Sequence, residues 1–265
     1  MMIYLVLFLL MIYLYLIVYE KEGFSLVEGV DIIEERTYRN EKVEDRFYTY
    51  NYDDMVLTIP YYIELIHMIH MYLRKEGMTL CLGTKTGHLV QLLSKTTPTI
   101  GLESSNAMIA MSRYKYPDQV YVEGSYLDTS LFPRHKFSQV ILPLLQLHTI
   151  PNFRALCDTV KEWTIHSGYF FVSFGDIRTF PVYKLVNHHP SDYFKNNYGY
   201  TLEFREKKKI EKITNTEYVT RTNIQDLYEY NEKGLIYDAM NAGFSHIKTL
   251  RYKSLPISVC VFQHK

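Results

Sequence analysis

Short apolar runs alternate with helix-patterned segments from Thr79 to Gly175, and that alternation limits the possible folds more than any other feature. "TLCL" leads into "GHLVQLLSK", "PTIGLE" into "SNAMIAMSRYKY" with Ser104 or Ser105 placed to cap the helix, and "QVYVEG" follows. "FSQVILPLL", "PNFRALCDTVKEWTIH" and "GYFFVSFG" continue the rhythm. Strands separated by helices cannot be joined by tight turns. They run parallel, with helices covering both faces of the sheet, so the expected class is α/β. Near the end, "EKGLIYDAMNAGF" reads as a helix stopped at Gly243, followed by strands in "SHIKTLRYK" and "PISVCVFQHK".

The chain has 265 residues, 47% of them hydrophobic, enough for one full core. Its 29 basic and 29 acidic residues cancel, so no overall field draws it to nucleic acid, and no nucleic-acid partner is expected. Cys81, Cys157 and Cys260 lie far apart and form no CxxC, which suits buried reduced thiols; no metal site is expected.

Residues 1–19, "MMIYLVLFLLMIYLYLIVY", carry no charge and have the length of a bilayer-spanning helix. No small-residue cleavage step follows, so a transmembrane anchor is expected rather than a removed signal peptide. Lys21, Arg36 and Arg39 lie beyond the span and place the main domain on the cytosol-like side of a single-pass protein. Residues 20–45 read as a charged juxtamembrane linker. "IPYYIELIHMIHMYLRKEGM" reads as a helix ended by Gly77, with His67 and His70 on its surface or in its core. Residues 181–232 break the rhythm and suggest an antiparallel hairpin projecting from the sheet. Its "REKKKIEK" run reads as a solvated tip rather than a phosphate or lipid-headgroup contact.

Taken in order, "CLGTKTGHL", "GLESSNAMIAMSR", "FSQVILPLLQLH", "IHSGYFFVSF" and "AMNAGFSHIKTL" resemble the class I S-adenosylmethionine-dependent methyltransferases over roughly Arg46 to Lys265. "YNYDDM" is similar to the capping segment of the small-molecule and amine members. The resemblance implies a Rossmann-like, mostly parallel sheet with an antiparallel last strand, a hairpin insertion after the fifth strand, and S-adenosylmethionine as cofactor. Gly83 and Gly87 match the family's glycine turn, where a ligand can approach the backbone closely. Glu103, 20 residues after Gly83, stands where a carboxylate accepts hydrogen bonds from the ribose hydroxyls.

Several matches fail in a consistent direction. Cys81 replaces an acid, Lys85 the middle glycine, Ser125 the residue that commonly meets the adenine, and Ser138 the aspartate of the fourth strand. Lys85 sets a positive charge beside the place of a sulfonium cation, unless it swings to solvent or to the cofactor's carboxylate. His148, past the fourth strand, is the candidate general base, and Tyr52 and Asp53 are candidate caps of the pocket. The departures favour a membrane-anchored protein with lost or weakened cofactor binding, serving as a structural subunit beside other subunits of a virion or organellar membrane assembly. The alternative is an active methyltransferase acting on a small or lipid-soluble acceptor at a membrane.

Overall fold

The computed structural model describes residues 35–56, 59–176, 185–215, 219–252 and 257–265. The expected anchor, residues 1–19, and the first part of the expected linker lie outside them. Among the described residues, no helix is long and apolar enough to cross a membrane.

The described residues open with β1 (Glu35–Arg39), then helices α1 (Arg46–Met55) and α2 (Ile59–Ile69). It continues with β2 (Thr79–Leu82), α3 (His88–Leu93), β3 (Thr99–Glu103), α4 (Asn106–Lys115), β4 (Val120–Glu123), β5 (Phe137–Leu142), α5 (Leu144–Leu147), α6 (Phe153–Trp163) and β6 (Thr164–Gly175). The last third holds α7 (Asp192–Asn197), β7 (Tyr198–Arg205), β8 (Lys208–Asn215), β9 (Thr220–Asp226), α8 (Glu232–Ala242), β10 (Phe244–Arg251) and β11 (Ile257–His264).

Seven strands make the main sheet in the order β10-β11-β6-β5-β2-β3-β4. The pairs β5–β6, β2–β5, β2–β3 and β3–β4 are parallel. Only β11 opposes its neighbours, pairing antiparallel with both β6 and β10. β2, β3 and β5 are buried along their whole length because helices cover both faces, which is why their sequences lack polar alternation. Phe153, Leu156, Val160 and Trp163 of α6 join Leu235 and Ala239 of α8 on one face. Tyr62, Leu65 and Ile69 of α2 join Leu89, Val90 and Leu93 of α3 on the other. Each of the leucine, isoleucine, valine and phenylalanine side chains contributes about 1.5 to 3 kcal/mol through burial. The three cysteines are free and buried in these layers.

Local chemistry sets the helix ends. The Ser105 hydroxyl accepts from the Met108 amide at the start of α4, and Gly243 closes α8 in the left-handed region at φ 106°. α2, expected to run to Gly77, stops at Ile69 instead. Beyond it the Arg74 amide donates to Gln139 Oε1 at 2.9 Å, and Gln139 Nε2 donates to the Arg74 carbonyl at 3.2 Å. These sheet-borne bonds take the backbone groups that another helical turn would use.

The expected hairpin is a larger structure. β7, β8 and β9 form an antiparallel meander, and β1 adds to β9 in parallel register, so the end of the segment expected to be linker belongs to a four-stranded second sheet. Glu206 and Lys207 turn β7 into β8 with φ of 50° and 59°, the pattern of a two-residue hairpin turn. The charge run is only partly a solvated tip. Lys209 is 8% exposed and Glu211 fully buried, 3.0 Å apart, and the Tyr48 and Tyr200 hydroxyls donate to Glu211 at 3.0 and 2.6 Å. Strand alternation sends these charges inward, where tyrosines from α1 and β7 satisfy them. Arg221 of β9 is also buried. Its guanidinium lies 4.0 Å from the Tyr38 ring centroid and donates to Asp45 at 2.7 Å and to the Val43 carbonyl at 2.8 Å, tying the second sheet to the start of α1.

Candidate functional site

The turn after β2 holds three residues in the left-handed region: Gly83 at φ 65°, Lys85 at 49° and Gly87 at 89°. Glycine adopts this region without strain, whereas a side chain makes it costly by about 1 kcal/mol. The surroundings of Lys85 offset that cost. Its amide donates to Glu103 Oε2 at 3.0 Å, and its carbonyl accepts from the Ser112 hydroxyl at 2.6 Å. Its ammonium donates to Glu44 Oε1 at 2.7 Å and lies 3.6 Å from Glu103 Oε2. Lysine therefore stands at this position because its charge joins the buried Glu103 to the half-buried Glu44.

Glu103 is 2% exposed at the carboxyl end of β3. Besides Lys85 it accepts from the amides of Ser104 at 2.8 Å and Ser105 at 3.2 Å, so both carboxylate oxygens are engaged. Burial alone would lower the Lys85 pKa, but Glu103 and Glu44 outweigh it and push the ammonium well above its usual range. The carboxylates keep lysine charged here, as expected of a half-buried cation between two anions. Cys81, beneath the turn, is a neutral thiol: burial, then Glu103, raise its pKa far above the ordinary value.

A second network closes the outer side of the turn. Asp53 of α1 accepts from the Thr86 hydroxyl at 2.7 Å and from Lys115, and lies 3.0 Å from His88 Nε2. Tyr116 meets the other nitrogen of His88. Burial raises the Asp53 pKa, yet His88 and Lys115 more than reverse this and bring it down to about 2. In the direction a Cβ would take, each glycine meets another side chain. A Cβ at Gly83 would fall 2.3 Å from the Gln146 side chain, and one at Gly87 would fall 2.5 Å from the Tyr121 hydroxyl.

The structure thus gathers Gly83, Lys85, Gly87 and Glu103 at one sheet edge. Tyr52 is buried beside them, its ring edge-on to Tyr48, and its phenol is pushed far up by burial and then by Glu44 and Asp53. Ser125 is exposed, and its hydroxyl accepts from the Leu127 amide at 3.2 Å within its own loop. Ser138 is the second residue of β5, at the opposite edge of the sheet, and donates to the Met78 carbonyl at 3.2 Å, so it has no part in the turn. His148 caps α5 and its hydrogen bond runs to the Tyr228 carbonyl at 2.8 Å, not to the turn. Sequence reasoning missed Glu44, His88, Lys115 and Gln146. A lysine at a glycine position was the one signal that an acidic partner should exist.

No protein-family model matches the sequence, nor does any curated protein. Solved structures do match. The CcbJ methyltransferase from Streptomyces caelestis superposes at a TM-score of 0.64 with 15% identity, over 85% of this chain and 99% of that one. CalS10 from Micromonospora echinaspora, an amino pentose methyltransferase with S-adenosylmethionine bound, gives 0.58 and 13%, over 83% and 97%. An S-adenosylmethionine-dependent methyltransferase from Clostridium acetobutylicum gives 0.58 and 13%, over 82% and 96%. The fold is that of the class I S-adenosylmethionine-dependent methyltransferases, with the antiparallel β11 expected of it.

Proposed function

We propose that this chain is a methyltransferase-fold protein whose cofactor cradle is closed by its own side chains, and that it serves as a structural subunit of a membrane-associated assembly. The observation that carries this reading is the Lys85 ammonium held by Glu44 at 2.7 Å with Glu103 at 3.6 Å. Glu103 is the carboxylate that would meet the ribose hydroxyls of S-adenosylmethionine. To receive them it must release the half-buried Lys85 ammonium, which would then be held by Glu44 alone. Gln146 packs against Gly83 in the direction of a Cβ, which narrows the approach to the turn's backbone. Held in this way, Lys85 and Gln146 stand against binding of the cofactor. The uncharged stretch at residues 1–19 supports single-pass attachment to a virion or organelle membrane, with the domain on the cytosol-like side and other subunits as partners.

The alternative, an active methyltransferase acting on a small or lipid-soluble acceptor, draws on Glu103 and requires Lys85 to turn away from it. Calorimetric titration of the full chain separates the two. The closed cradle predicts no saturable heat from S-adenosylmethionine or its demethylated product at millimolar concentration. A micromolar dissociation constant that Glu103→Ala abolishes would establish the alternative. For attachment, the full chain should float with vesicles and a chain lacking residues 1–19 should not; equal flotation of both would remove the anchor.

A further inference from the structure

The helix α2 is apolar on both of its sides. Tyr61, Tyr62, Leu65 and Ile69 face the core, yet the opposite side does not turn polar. At 3.6 residues per turn Ile59, Ile63, Ile66 and His67, with His70 in the closing turn, fall within about 100° of arc. Ile59 is 42% and Ile63 52% exposed, Ile66 is half-buried beside them, and Met71 extends the stripe at 82% exposure. No Asp, Glu, Lys or Arg lies within that arc; Glu64 stands at its margin, half-buried. The rings of His67 and His70 stack at 5.4 Å between centroids, and His70 Nδ1 donates to the His67 carbonyl at 2.6 Å, so part of their hydrogen-bonding capacity is met within the helix. On the other face of the sheet α6 shows the ordinary arrangement, with Arg154 and Asp158 paired on its outer side at 3.2 Å. A surface helix normally carries such a polar side.

The size of the stripe and the chain that precedes it decide what can cover it. The 11 residues of α2 make a helix about 16 Å long and about 10 Å wide, so one side offers about 160 Å². A stable protein interface takes about 800 Å² from each partner, so this side alone would not hold a second copy. A bilayer sets no such requirement, because its fluid apolar interior receives single side chains without matching their shape. The uncharged residues 1–19 bring a bilayer to the domain as a single-pass anchor, and the inference rests on that attachment. Residues 20–34 reach at most about 50 Å, comparable to the width of a domain of this size. A tether of that length keeps the domain at high effective concentration beside the lipid, so shallow insertion of a few side chains is enough.

We propose that the outer side of α2 rests on the membrane surface, with Ile59, Ile63 and Met71 entering the boundary between headgroups and acyl chains. The test uses the full chain in phosphatidylcholine vesicles, carrying a nitroxide spin label introduced by Ile63→Cys or, as a reference, by Tyr237→Cys. Cys81, Cys157 and Cys260 are buried, so the label goes to the new thiol. Tyr237 is 69% exposed on α8, which covers the other face of the sheet. The label at position 63 should collide several-fold less with a water-soluble nickel chelate than the label at 237, and several-fold more with oxygen, as insertion by about 5 to 10 Å demands. Adding Ile59→Asp, at an exposed position, should bring the label at 63 back to the accessibility of the reference while the chain still floats with the vesicles. A floating chain whose two labels are equally accessible, or protection of position 63 that survives Ile59→Asp, would overturn the α2 contact and leave the anchor standing. Failure of the full chain to float would overturn both. Protection of position 63 from the chelate and from oxygen alike, with dipolar broadening between labels, would identify a second copy as the occupant and overturn the proposal.

Discussion

The carboxyl edge of one sheet carries both the cradle and a cavity, and they differ in how their acids are neutralised. At the ends of β2 and β3 a long cationic side chain reaches Glu44 and Glu103 from the turn itself and fills the space with charge. At the ends of β5 and β6 Glu229 and Glu232 stand at a rim, their cations Lys207 and Arg251 come from outside, and about 440 Å³ stays open beside the buried His148 imidazole. Where acids are buried the fold must supply a counter-charge, and where they reach solvent it need not.

The largest expected effect breaks the cradle's charge pairing. Lys85→Met leaves the buried Glu103 and the half-buried Glu44 without their cation and should cost about 2 to 4 kcal/mol, lowering the melting temperature by about 10 °C. Adding Glu44→Gln and Glu103→Gln should return part of that loss. A single-variant loss below about 1 kcal/mol would mean that the lysine is not holding the acids together. Next comes Gly83→Ala, which places a Cβ in a left-handed turn and against Gln146, at an expected cost of about 2 to 3 kcal/mol. Denaturant midpoints of the single variant and of Gly83→Ala/Gln146→Ala would show the double variant partly restored; no difference between them would place the cost in the backbone alone.

A pH titration probes the second network. The folded pKa of Asp53, about 2, is below its ordinary 3.8, so its contribution is fully present above 3.8 and is lost as pH falls toward 2. The loss should be about 2 kcal/mol, visible as a slope in stability across that window that Asp53→Asn removes. An unchanged slope in the variant would assign acid sensitivity to other groups. The smallest effect lies at the rim: Glu232→Gln should change stability by no more than about 0.5 kcal/mol, because its pair with Arg251 is exposed. A loss approaching that of Lys85→Met would erase the distinction between the two regions.

The sheet was legible because its strands are short apolar runs with their punctuation in the sequence. Thr79–Leu82 and Thr99–Glu103 are the quoted runs almost residue for residue, and the Ser105 cap and the Gly243 stop lie where the pattern puts them. Features that depend on distant partners were not legible. The end of α2 is set by Gln139, 65 residues after Arg74, and β1 gains strand status only by pairing with β9. The inward charges Lys209 and Glu211 look like a solvated run because the tyrosines that satisfy them are far away in sequence or on the facing strand. At the site, the glycine turn and Glu103 carry family-like spacing, but Glu44 lies in a charged stretch with no pattern of its own. Only the oddity of Lys85 hinted at it.

The most direct test of the closed cradle is a crystal structure of the full chain grown in millimolar S-adenosylmethionine. The expected density shows the Lys85 ammonium between Glu44 and Glu103, with Gln146 across Gly83 and no adenosyl group. A ribose resting on Glu103, with Lys85 turned toward solvent, would contradict it.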